Sequence, residues 1–247
     1  MPDGTQRHRW KGEKLGAFFP QSSFATRAVV KARNAVKINP AIDLGLAAPF
    51  GCGVQTGAGI VLNSLRPEFG TSIGVFGCGT VGMSAIMAAR IAGCRNIVAV
   101  GGNARSLELA LELGATHAVN RRETADLIQT LRDITGCGLD YAVDTSGVTG
   151  MIEVALDSLN YMGTLVMAGA GSTLMLGNNL GAKTVKGVSE GNSIPKDFIP
   201  KLLGYYQAGR FPVDRLIEYF DFEDINAAFA ASHHGRVIKA VLRMPEK

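Results

Sequence analysis

Three glycines have the spacing that is needed to hold a phosphate group. Gly77, Gly79 and Gly82 form a G-x-G-x-x-G that follows the short apolar run 73–76 and opens an apolar helical pattern. The first glycine permits a tight turn, the second lets the backbone approach a pyrophosphate, and the third lets the helix pack closely on the strand. A helix that begins here presents free N–H groups to the phosphates. The motif therefore predicts a dinucleotide site, and its flanking strand and helix disfavour the alternative of a glycine-rich turn without a ligand.

The end of the second predicted strand determines which dinucleotide is favoured. NAD-binding proteins place an Asp or Glu about twenty residues after the first glycine, where the carboxylate binds the adenosine ribose hydroxyls. Here that position is Gly101. Loss of charged hydrogen bonds costs roughly 1.5–3 kcal/mol in NAD binding and removes the repulsion that would exclude a 2′-phosphate. Arg105 could pair with that phosphate and Asn103 could donate to it, so we predict a preference for NADP(H). In the alternative interpretation, Arg105 is an ordinary surface arginine and Gly101 is a glycine tolerated by drift.

Two further loops are expected at the same site. Ligands of open α/β sheets bind outside the carboxyl ends of the strands. The loops that follow the fourth and fifth predicted strands should therefore line the cleft. Their candidate residues are Thr145 and Ser146 after the fourth strand and Ala168, Gly169 and Ala170 after the fifth.

The elements that must position these residues alternate regularly from residue 72 onward. Apolar runs predict strands at 73–76, 96–100, 117–119, 141–143, 164–168 and 183–188. Between them, helical spacing predicts helices at 81–92, 104–113, 124–134 and 151–159, with Leu107, Ala110 and Leu111 on one face of the second. Strands separated by such helices need crossover connections, which produce a parallel, doubly wound α/β sheet of the Rossmann type.

The two ends of the chain follow other patterns. Residues 22–30 and 35–40 suggest a few short strands, and residues 51–65 have helical spacing with four glycines. After residue 188 we predict a helix at 196–208, a strand at 216–220, a helix at 222–232 and a last strand at 237–242. We expect this tail to leave the nucleotide-binding domain and pack on the N-terminal strands.

Composition excludes several classes of function. The 247 residues are 47% hydrophobic and 19% charged, which is ordinary for a globular protein. A net charge of +4 with scattered Lys and Arg gives no nucleic-acid patch, and we expect no membrane partner because the sequence shows neither a signal peptide nor a membrane span. The four cysteines show no C-x-x-C pairing, which is consistent with a reducing, cytoplasmic location.

Several motifs in order carry a resemblance to a known family. GCGVQTGAG at 51–59, VFGCGTVG at 75–82, LELGATHAVN at 111–120 and YFDFEDINAAF at 219–229 resemble the zinc-dependent medium-chain alcohol dehydrogenases. FFPQSSFAT at 18–26 is most similar to their aryl-alcohol (benzyl-alcohol) branch. The resemblance implies hydride transfer between an alcohol or aldehyde and NAD(P), with a zinc ion that polarises the alcohol oxygen.

The resemblance also implies roles for single residues. Cys52 corresponds to the zinc-ligand cysteine of the G-C-G motif. Thr56 and Val81 correspond to residues on either face of the nicotinamide, and Lys239 to a basic residue that reaches the pyrophosphate. Alternatives remain open for all four, because an exposed thiol, core residues and a solvent-facing lysine would look the same in sequence.

The resemblance further predicts the domain organisation. Residues 1–50 correspond to a remnant of the family's GroES-like catalytic lobe, 51–188 to the NAD(P)-binding Rossmann domain, and 189–247 to a C-terminal segment that returns to the lobe. Of the family's three catalytic zinc ligands only Cys52 has a counterpart, and a catalytic zinc site uses three protein ligands. We therefore expect little activity from this chain alone. We also expect a homo-oligomer formed through the sheet edge near residues 173–188.

Two other functions stay open at this point. One is a non-catalytic nucleotide-binding fragment or degenerate paralogue. The other is a zinc-free oxidoreductase of the quinone-reductase type, against which Cys52 argues because zinc-free relatives need no thiolate there.

Overall fold

The computed structural model describes residues 8–15, 24–25, 27–169, 174, 177 and 179–245. Its strands are β1 (His8–Trp10), β2 (Glu13–Leu15), β3 (Ser72–Phe76), β4 (Asn96–Gly101), β5 (His117–Asn120), β6 (Leu139–Asp144), β7 (Leu159–Met167), β8 (Thr184–Gly187), β9 (Ile217–Asp221) and β10 (Lys239–Arg243). Six of these, in the order β5-β4-β3-β6-β7-β8, form one sheet whose neighbours are all parallel. The chain order reverses at β3, so the carboxyl ends of β3 and β6 form the crevice of a doubly wound sheet.

Helices cover both faces of this sheet. They are α1 (Leu44–Ala47), α2 (Gly53–Gly59), α3 (Thr80–Ala92), α4 (Ala104–Leu113), α5 (Leu127–Thr135), α6 (Thr149–Asp157), α7 (Pro195–Gln207) and α8 (Ile225–His233). The α2 helix continues into a π-helical segment, Ile60–Leu65. Along β4, Ile97 and Ala99 face the core under α2, α3, α4 and α7, whereas Val98 and Val100 face the core under α5 and α6. The alternation follows from the two-residue period of a strand, and it confirms the predicted Rossmann architecture.

The strands predicted near the N-terminus are wrong where the structure describes them. Residues 27–39 hold a short 3-10 helix, Ala32–Asn34, and no strand. Val29 is 97% exposed, and no neighbouring segment in the described residues offers a ladder of hydrogen bonds. A strand is stabilised by pairing rather than by its own residues, so the apolar pattern alone was insufficient. The predicted strand at 22–30 lies partly outside the described residues.

Other boundaries differ by a few residues. The helix predicted at 124–134 begins three residues later, where the Asp126 side chain accepts from the Gln129 N–H as an N-cap. Leu111 was placed on the buried face of α4, but it is 45% exposed, while Leu107, Ala110 and Leu113 are buried. The helix predicted at 222–232 starts as a 3-10 turn, Phe222–Asp224, before α8 begins.

The C-terminal segment forms its own small sheet. β9 and β10 pair in parallel, with α8 as the crossover between them, and β1 and β2 form a separate antiparallel pair. β10 lies beside α1 and the 3-10 turn Ala48–Gly51. Domain boundaries at residues 50 and 188 stay predictions. No single helix in the described ranges is long and apolar enough to cross a membrane; Leu44–Gly51 and Gly53–Leu65 reach that length only together, across a 57° bend.

Candidate functional site: a dinucleotide cleft at the start of α3

The glycine motif forms the tight turn that the sequence predicts. Gly77 has φ +104°, which a residue with a side chain rarely adopts. A Cβ on Gly82 would lie 1.9 Å from the Gly77 carbonyl oxygen, so α3 packs directly on the end of β3. Gly79 faces open space, with nothing within 4 Å of where its Cβ would be. The turn is therefore tightly packed where Gly82 meets Gly77, and it has open space beside Gly79.

A cavity of about 350 Å³ lies in front of this turn. It is bordered by Gly77, Cys78, Gly79, Gly101 and Ser146 among others. No side chain caps the N-terminus of α3, so the first N–H groups of the helix have no side-chain partner. Backbone donors and the positive end of a helix dipole facing an open cavity suit a phosphate group. The residues present therefore fit a dinucleotide.

The loop after β6 forms the second wall and is organised by Asp144. This carboxylate is fully buried and accepts hydrogen bonds from the Ser146 hydroxyl (2.6 Å), the Ser146 N–H (3.1 Å) and the Gly147 N–H (3.3 Å). Its backbone carbonyl accepts from the N–H groups of Ala168 and Gly169. Both predicted loops thus meet at one residue, and only Ala170 lies outside the described residues.

Thr145 connects this loop to the glycine turn. Its backbone N–H donates to the Phe76 carbonyl at 2.8 Å, and its hydroxyl lies 3.1 Å from the carbonyls of Phe76 and Gly77. Its Oγ1 is 2.6 Å from where a Cβ on Gly77 would lie. Thr145 is therefore a structural contact of the turn.

Where the sequence predicts the adenosine end of the cofactor, Gly101 is packed against another residue of the motif. A Cβ on Gly101 would lie 3.0 Å from the Cys78 sulfur and 3.2 Å from Leu107. Burial raises the pKa of the Cys78 thiol to about 12, so this side chain fills space as a neutral thiol. An acidic side chain at position 101 would need Cys78 to move, which means that the glycine has a packing role.

Two arginines that the sequence analysis missed approach this end. The Nε atoms of Arg122 and Arg121 lie 3.0 and 3.3 Å from where a Cβ on Gly102 would be, and Arg121 borders the cavity. The Arg121 N–H donates to the Gly101 carbonyl at 2.8 Å, which aligns the end of β5 with the end of β4. Both arginines follow the third predicted strand, and adjacency of β4 and β5 would have been the signal to find them.

The two residues predicted to hold a 2′-phosphate have other partners. Asn103 is the N-cap of α4, and its Nδ2 lies 3.4 Å from the Gly235 carbonyl. Arg105 donates to the Arg236 carbonyl at 3.4 Å and borders a neighbouring cavity between α4 and β9. Asn103 borders the main cavity, whereas Arg105 does not. Their contacts with a cofactor stay predictions.

The N-terminus of α2 brings Cys52 and Thr56 to the same region. A Cβ on Gly57 would lie 2.0 Å from the Val81 carbonyl, and one on Gly53 would lie 3.1 Å from Thr80. The helices α2 and α3 therefore touch backbone to backbone, and Thr56 and Val81 are half-buried there. The Thr80 hydroxyl donates to the Ile238 carbonyl at 3.1 Å, which places the neighbouring Lys239 close to the start of α3.

A further residue missed by the sequence analysis, Glu190, contacts this end of α2. Its carboxylate lies 3.8 Å from the Cys52 sulfur and 3.4 Å from the Thr56 hydroxyl. Burial and the negative charge of Glu190 raise the pKa of Cys52, and the positive charge of Lys239 opposes that shift. No local motif marks Glu190, because it is 138 residues away from Cys52 in the chain.

The described residues do not fit a catalytic zinc site by themselves. Among them, no three His, Cys, Asp or Glu side chains come together as a metal site would require. Cys52 and Glu190 supply two donors, one fewer than the three protein ligands of a catalytic zinc site. The assignment of Cys52 as a metal ligand stays a prediction.

Fold and site together define a dinucleotide-binding protein of the Rossmann class. A family model described as "Zinc-binding dehydrogenase" matches residues 80–203. The chain belongs to this zinc-dependent medium-chain alcohol dehydrogenase family. It is 40% identical over 231 residues to the geraniol dehydrogenase of Castellaniella defragrans, covering 91% of this chain and 62% of that protein. The alcohol dehydrogenase class-3 of Myxine glutinosa is 34% identical, with 99% of this chain and 67% of the relative covered.

Solved structures agree with this assignment. A benzyl alcohol dehydrogenase from Acinetobacter calcoaceticus superposes with a TM-score of 0.89 at 38% identity, covering 92% of this chain and 64% of that one. An alcohol dehydrogenase zinc-binding domain protein from Burkholderia ambifaria gives a TM-score of 0.90 at 45% identity, covering 95% and 65%. The chain thus spans about two thirds of the length of these relatives.

Proposed function

We propose that this chain is the cofactor-binding part of an alcohol dehydrogenase that transfers hydride between a primary aryl alcohol, or its aldehyde, and NADP(H). The observation that carries the proposal is the uncapped N-terminus of α3, which faces an open cavity beside the exposed Gly79. The residues that would hold the pyrophosphate are Gly77, Gly79, Val81 and Gly82 of the glycine turn, with Lys239 nearby. The loops at Thr145, Ser146, Ala168, Gly169 and Ala170 would hold the nicotinamide half.

The aryl-alcohol substrate class rests on similarity. FFPQSSFAT at 18–26 resembles the aryl-alcohol branch, and the benzyl alcohol dehydrogenase of A. calcoaceticus and the geraniol dehydrogenase of C. defragrans are named for primary alcohols with an unsaturated carbon next to the carbinol. Such substrates give conjugated aldehydes. Activity with benzyl alcohol well above that with a saturated alcohol of similar size would support this class.

Preference for NADP(H) is supported by charge at the adenosine end. Gly101 offers no carboxylate to ribose hydroxyls, while Arg121 and Arg122 lie beside Gly102 at the cavity mouth. Arginine binds phosphate with charge-assisted, bidentate hydrogen bonds. The geometry favours Arg121 over Arg105 as the partner of a 2′-phosphate, because Arg105 borders the neighbouring cavity.

A side-by-side titration with NADPH and NADH, followed by nicotinamide fluorescence, tests the proposal. We expect NADPH to bind at least tenfold more tightly than NADH. Arg121→Gln should remove most of that difference, whereas Arg95→Gln, an exposed arginine at the opposite end of β4, should leave it unchanged. Equal affinities would refute the NADP preference, and absence of binding by both would refute the proposed cleft.

Catalysis by this chain alone is a separate question with its own assay. Zinc content and aldehyde reduction distinguish a catalytic chain from a non-catalytic nucleotide-binding module, which the two-donor set at Cys52 favours. Near-stoichiometric zinc together with turnover would overturn the non-catalytic alternative. Turnover with quinones but without zinc would instead support the quinone-reductase alternative.

Two further properties complete the proposal. β8 is an edge of the six-stranded sheet, and we propose that copies of the chain associate through it. The described cysteines are all free, and we propose a reducing, cytoplasmic location.

A further inference from the structure

Three consecutive residues after β8 have left-handed backbone conformations. Glu190, Gly191 and Asn192 have φ values of +49°, +66° and +48°. Residues with side chains rarely adopt this region, and where they do the surrounding structure holds them there. Glu190 is thus an observed backbone outlier that requires an explanation.

The surrounding structure that holds Glu190 is the backbone of α2. A Cβ on Gly191 would lie 2.5 Å from the Gln55 carbonyl, and one on Gly59 would lie 2.3 Å from the Gly191 carbonyl. The Ser193 hydroxyl donates to Gln55 Oε1 at 2.8 Å, and Asn63 Nδ2 donates to the Gly191 carbonyl at 3.2 Å. The turn is therefore docked on the helix directly after Glu190, through Gly191 and Ser193, which limits where the Glu190 side chain can go.

The carboxylate points at the N-terminal end of α2. Three donors face it: the Thr56 hydroxyl at 3.4 Å, Gln55 Nε2 at 3.4 Å and the Cys52 thiol at 3.8 Å. An ionised carboxylate accepts hydrogen bonds and donates none, so it matches this set of donors. Glu190 is half-buried, and a negative charge at such a site is screened less than one in bulk water.

In the proposed cofactor site, this charge would lie on the nicotinamide side of the cleft. In a doubly wound sheet a dinucleotide lies across the switch point, with its two halves on opposite sides. Gly101 and Arg121 mark the adenosine side at β4 and β5, so the other half extends over β6, β7 and β8. Glu190 follows β8, and its partner Thr56 lies on α2, which touches the start of α3.

We propose that Glu190 makes this cleft prefer the oxidised form of the nicotinamide cofactor over the reduced form. The oxidised ring carries a positive charge and the reduced ring is neutral, so a nearby carboxylate stabilises only the former. When the reduced ring gives a hydride, with its two electrons, to an aldehyde carbon, and the oxygen takes a proton from solvent, the ring becomes cationic. The same carboxylate therefore favours aldehyde reduction on the protein. Lys239, the other charge acting on Cys52, directly follows Ile238, whose carbonyl accepts from Thr80 at the start of α3. The inference rests on the proposed function.

The ratio of dissociation constants for NADP⁺ and NADPH tests this role. We expect Glu190→Gln to weaken NADP⁺ relative to NADPH by about tenfold, because it removes the charge and keeps the shape. Glu190→Asp, which retains the charge, should keep most of the original ratio. Glu190→Gly is a second neutral variant that suits the left-handed backbone, so it tests the charge even if the Gln variant folds poorly. A structural role alone would change both affinities together.

The matched control is Glu153→Gln, which removes an exposed carboxylate from α6. It should leave the ratio as in the unchanged protein. An unchanged ratio in both neutral Glu190 variants, with nucleotide still bound, would overturn the inference and leave the proposed function intact. Failure of the unchanged protein to bind either nucleotide would instead overturn the proposed function and the inference with it.

Discussion

At the scale of single residues, the cleft depends on side chains whose effects are electrostatic. In the proposed site, Gly101 would leave room for a 2′-phosphate, Arg121 would supply positive charge beside it, and Glu190 would supply negative charge at the other end. Each of these residues is exposed or half-buried except Gly101, so each charge can be changed with little loss of packing. Arg121 and Glu190 are therefore suited to substitutions that separate binding from stability.

Gly101→Asp should reverse the preference for NADP(H). The new carboxylate would repel a 2′-phosphate and pair with Arg121, so NADPH affinity should fall by about tenfold to a hundredfold, or roughly 1.5–3 kcal/mol. Because Cys78 lies 3.0 Å from the new Cβ, the double variant Cys78→Ala/Gly101→Asp should bind NADH more tightly than the single variant does. Titration with both nucleotides measures this, with Cys78→Ala as the control. An NADPH affinity that stays the same in Gly101→Asp would contradict the position assigned to the adenosine end.

Alkylation of Cys52 should depend on pH and on Glu190. Burial and the charge of Glu190 raise the pKa of this thiol, and only the thiolate reacts with iodoacetamide. The rate should therefore rise only as pH passes above the ordinary thiol range of about 8.5. Glu190→Gln removes a negative charge that disfavours the thiolate, so the pKa falls and the pH profile moves to lower pH.

Peptide mass spectrometry after timed alkylation at several pH values gives this profile. Cys137, which is exposed, serves as the internal control. Cys78, with a pKa of about 12, should stay unmodified in the folded protein at every pH used. If the Cys52 profile were the same in both proteins, the charge of Glu190 would have no effect on the thiol.

At the scale of elements, the approach of α3 to β3 decides where the phosphates can bind. Two glycines of the turn behave differently: Gly82 meets the Gly77 carbonyl, whereas Gly79 faces the cavity. One glycine is needed for packing between helix and strand, and the other for space on the ligand side. Substitution of either glycine by alanine adds a methyl group, so the two substitutions test these two requirements separately.

Gly79→Ala and Gly82→Ala form a matched pair of variants. Gly79→Ala should change the free energy of unfolding by less than about 1 kcal/mol and weaken nucleotide binding, because its methyl group enters only the cavity. Gly82→Ala should destabilise the fold by several kcal/mol, since a Cβ 1.9 Å from a carbonyl oxygen forces α3 away from β3. Urea denaturation and NADPH titration measure both effects. Full nucleotide affinity in Gly79→Ala would show that the phosphates bind elsewhere.

At the scale of the whole molecule, the cleft joins distant parts of the chain. Its walls come from the ends of β3, β4 and β6 of the large sheet. The helix α2 reaches the start of α3 through Gly53 and Gly57, and the residue before β10 does so through the bond from Thr80 to Ile238. A ligand in the cleft contacts several elements at once. Its binding free energy should therefore appear as stability of the entire protein.

NADPH at one hundred times its dissociation constant should stabilise the protein by about 2.7 kcal/mol. For a chain of this size that raises the Tm by about 5–10 °C. Differential scanning fluorimetry measures the shift, and Gly79→Ala at the same NADPH concentration should show a much smaller one. Equal shifts in both proteins would place NADPH binding outside the cleft.

The sequence by itself determined the Rossmann architecture and the position of the glycine turn. Both depend on local properties, namely the two-residue and 3.6-residue periods of buried side chains and the ability of Gly77 to adopt a positive φ. Gly101 was also found in this way, because its place at the end of a strand follows from the glycine motif.

Only the tertiary structure decided which distant parts of the chain meet. Arg121 approaches Gly102 because β5 lies beside β4, Glu190 reaches Cys52 because the turn after β8 docks on α2, and the 27–39 segment forms no strand because no partner pairs with it. Each of these outcomes depends on strand order and on contacts between residues far apart in the chain. A local pattern contains no record of such contacts, since they arise only when parallel strands align their carboxyl ends and the helices pack across them.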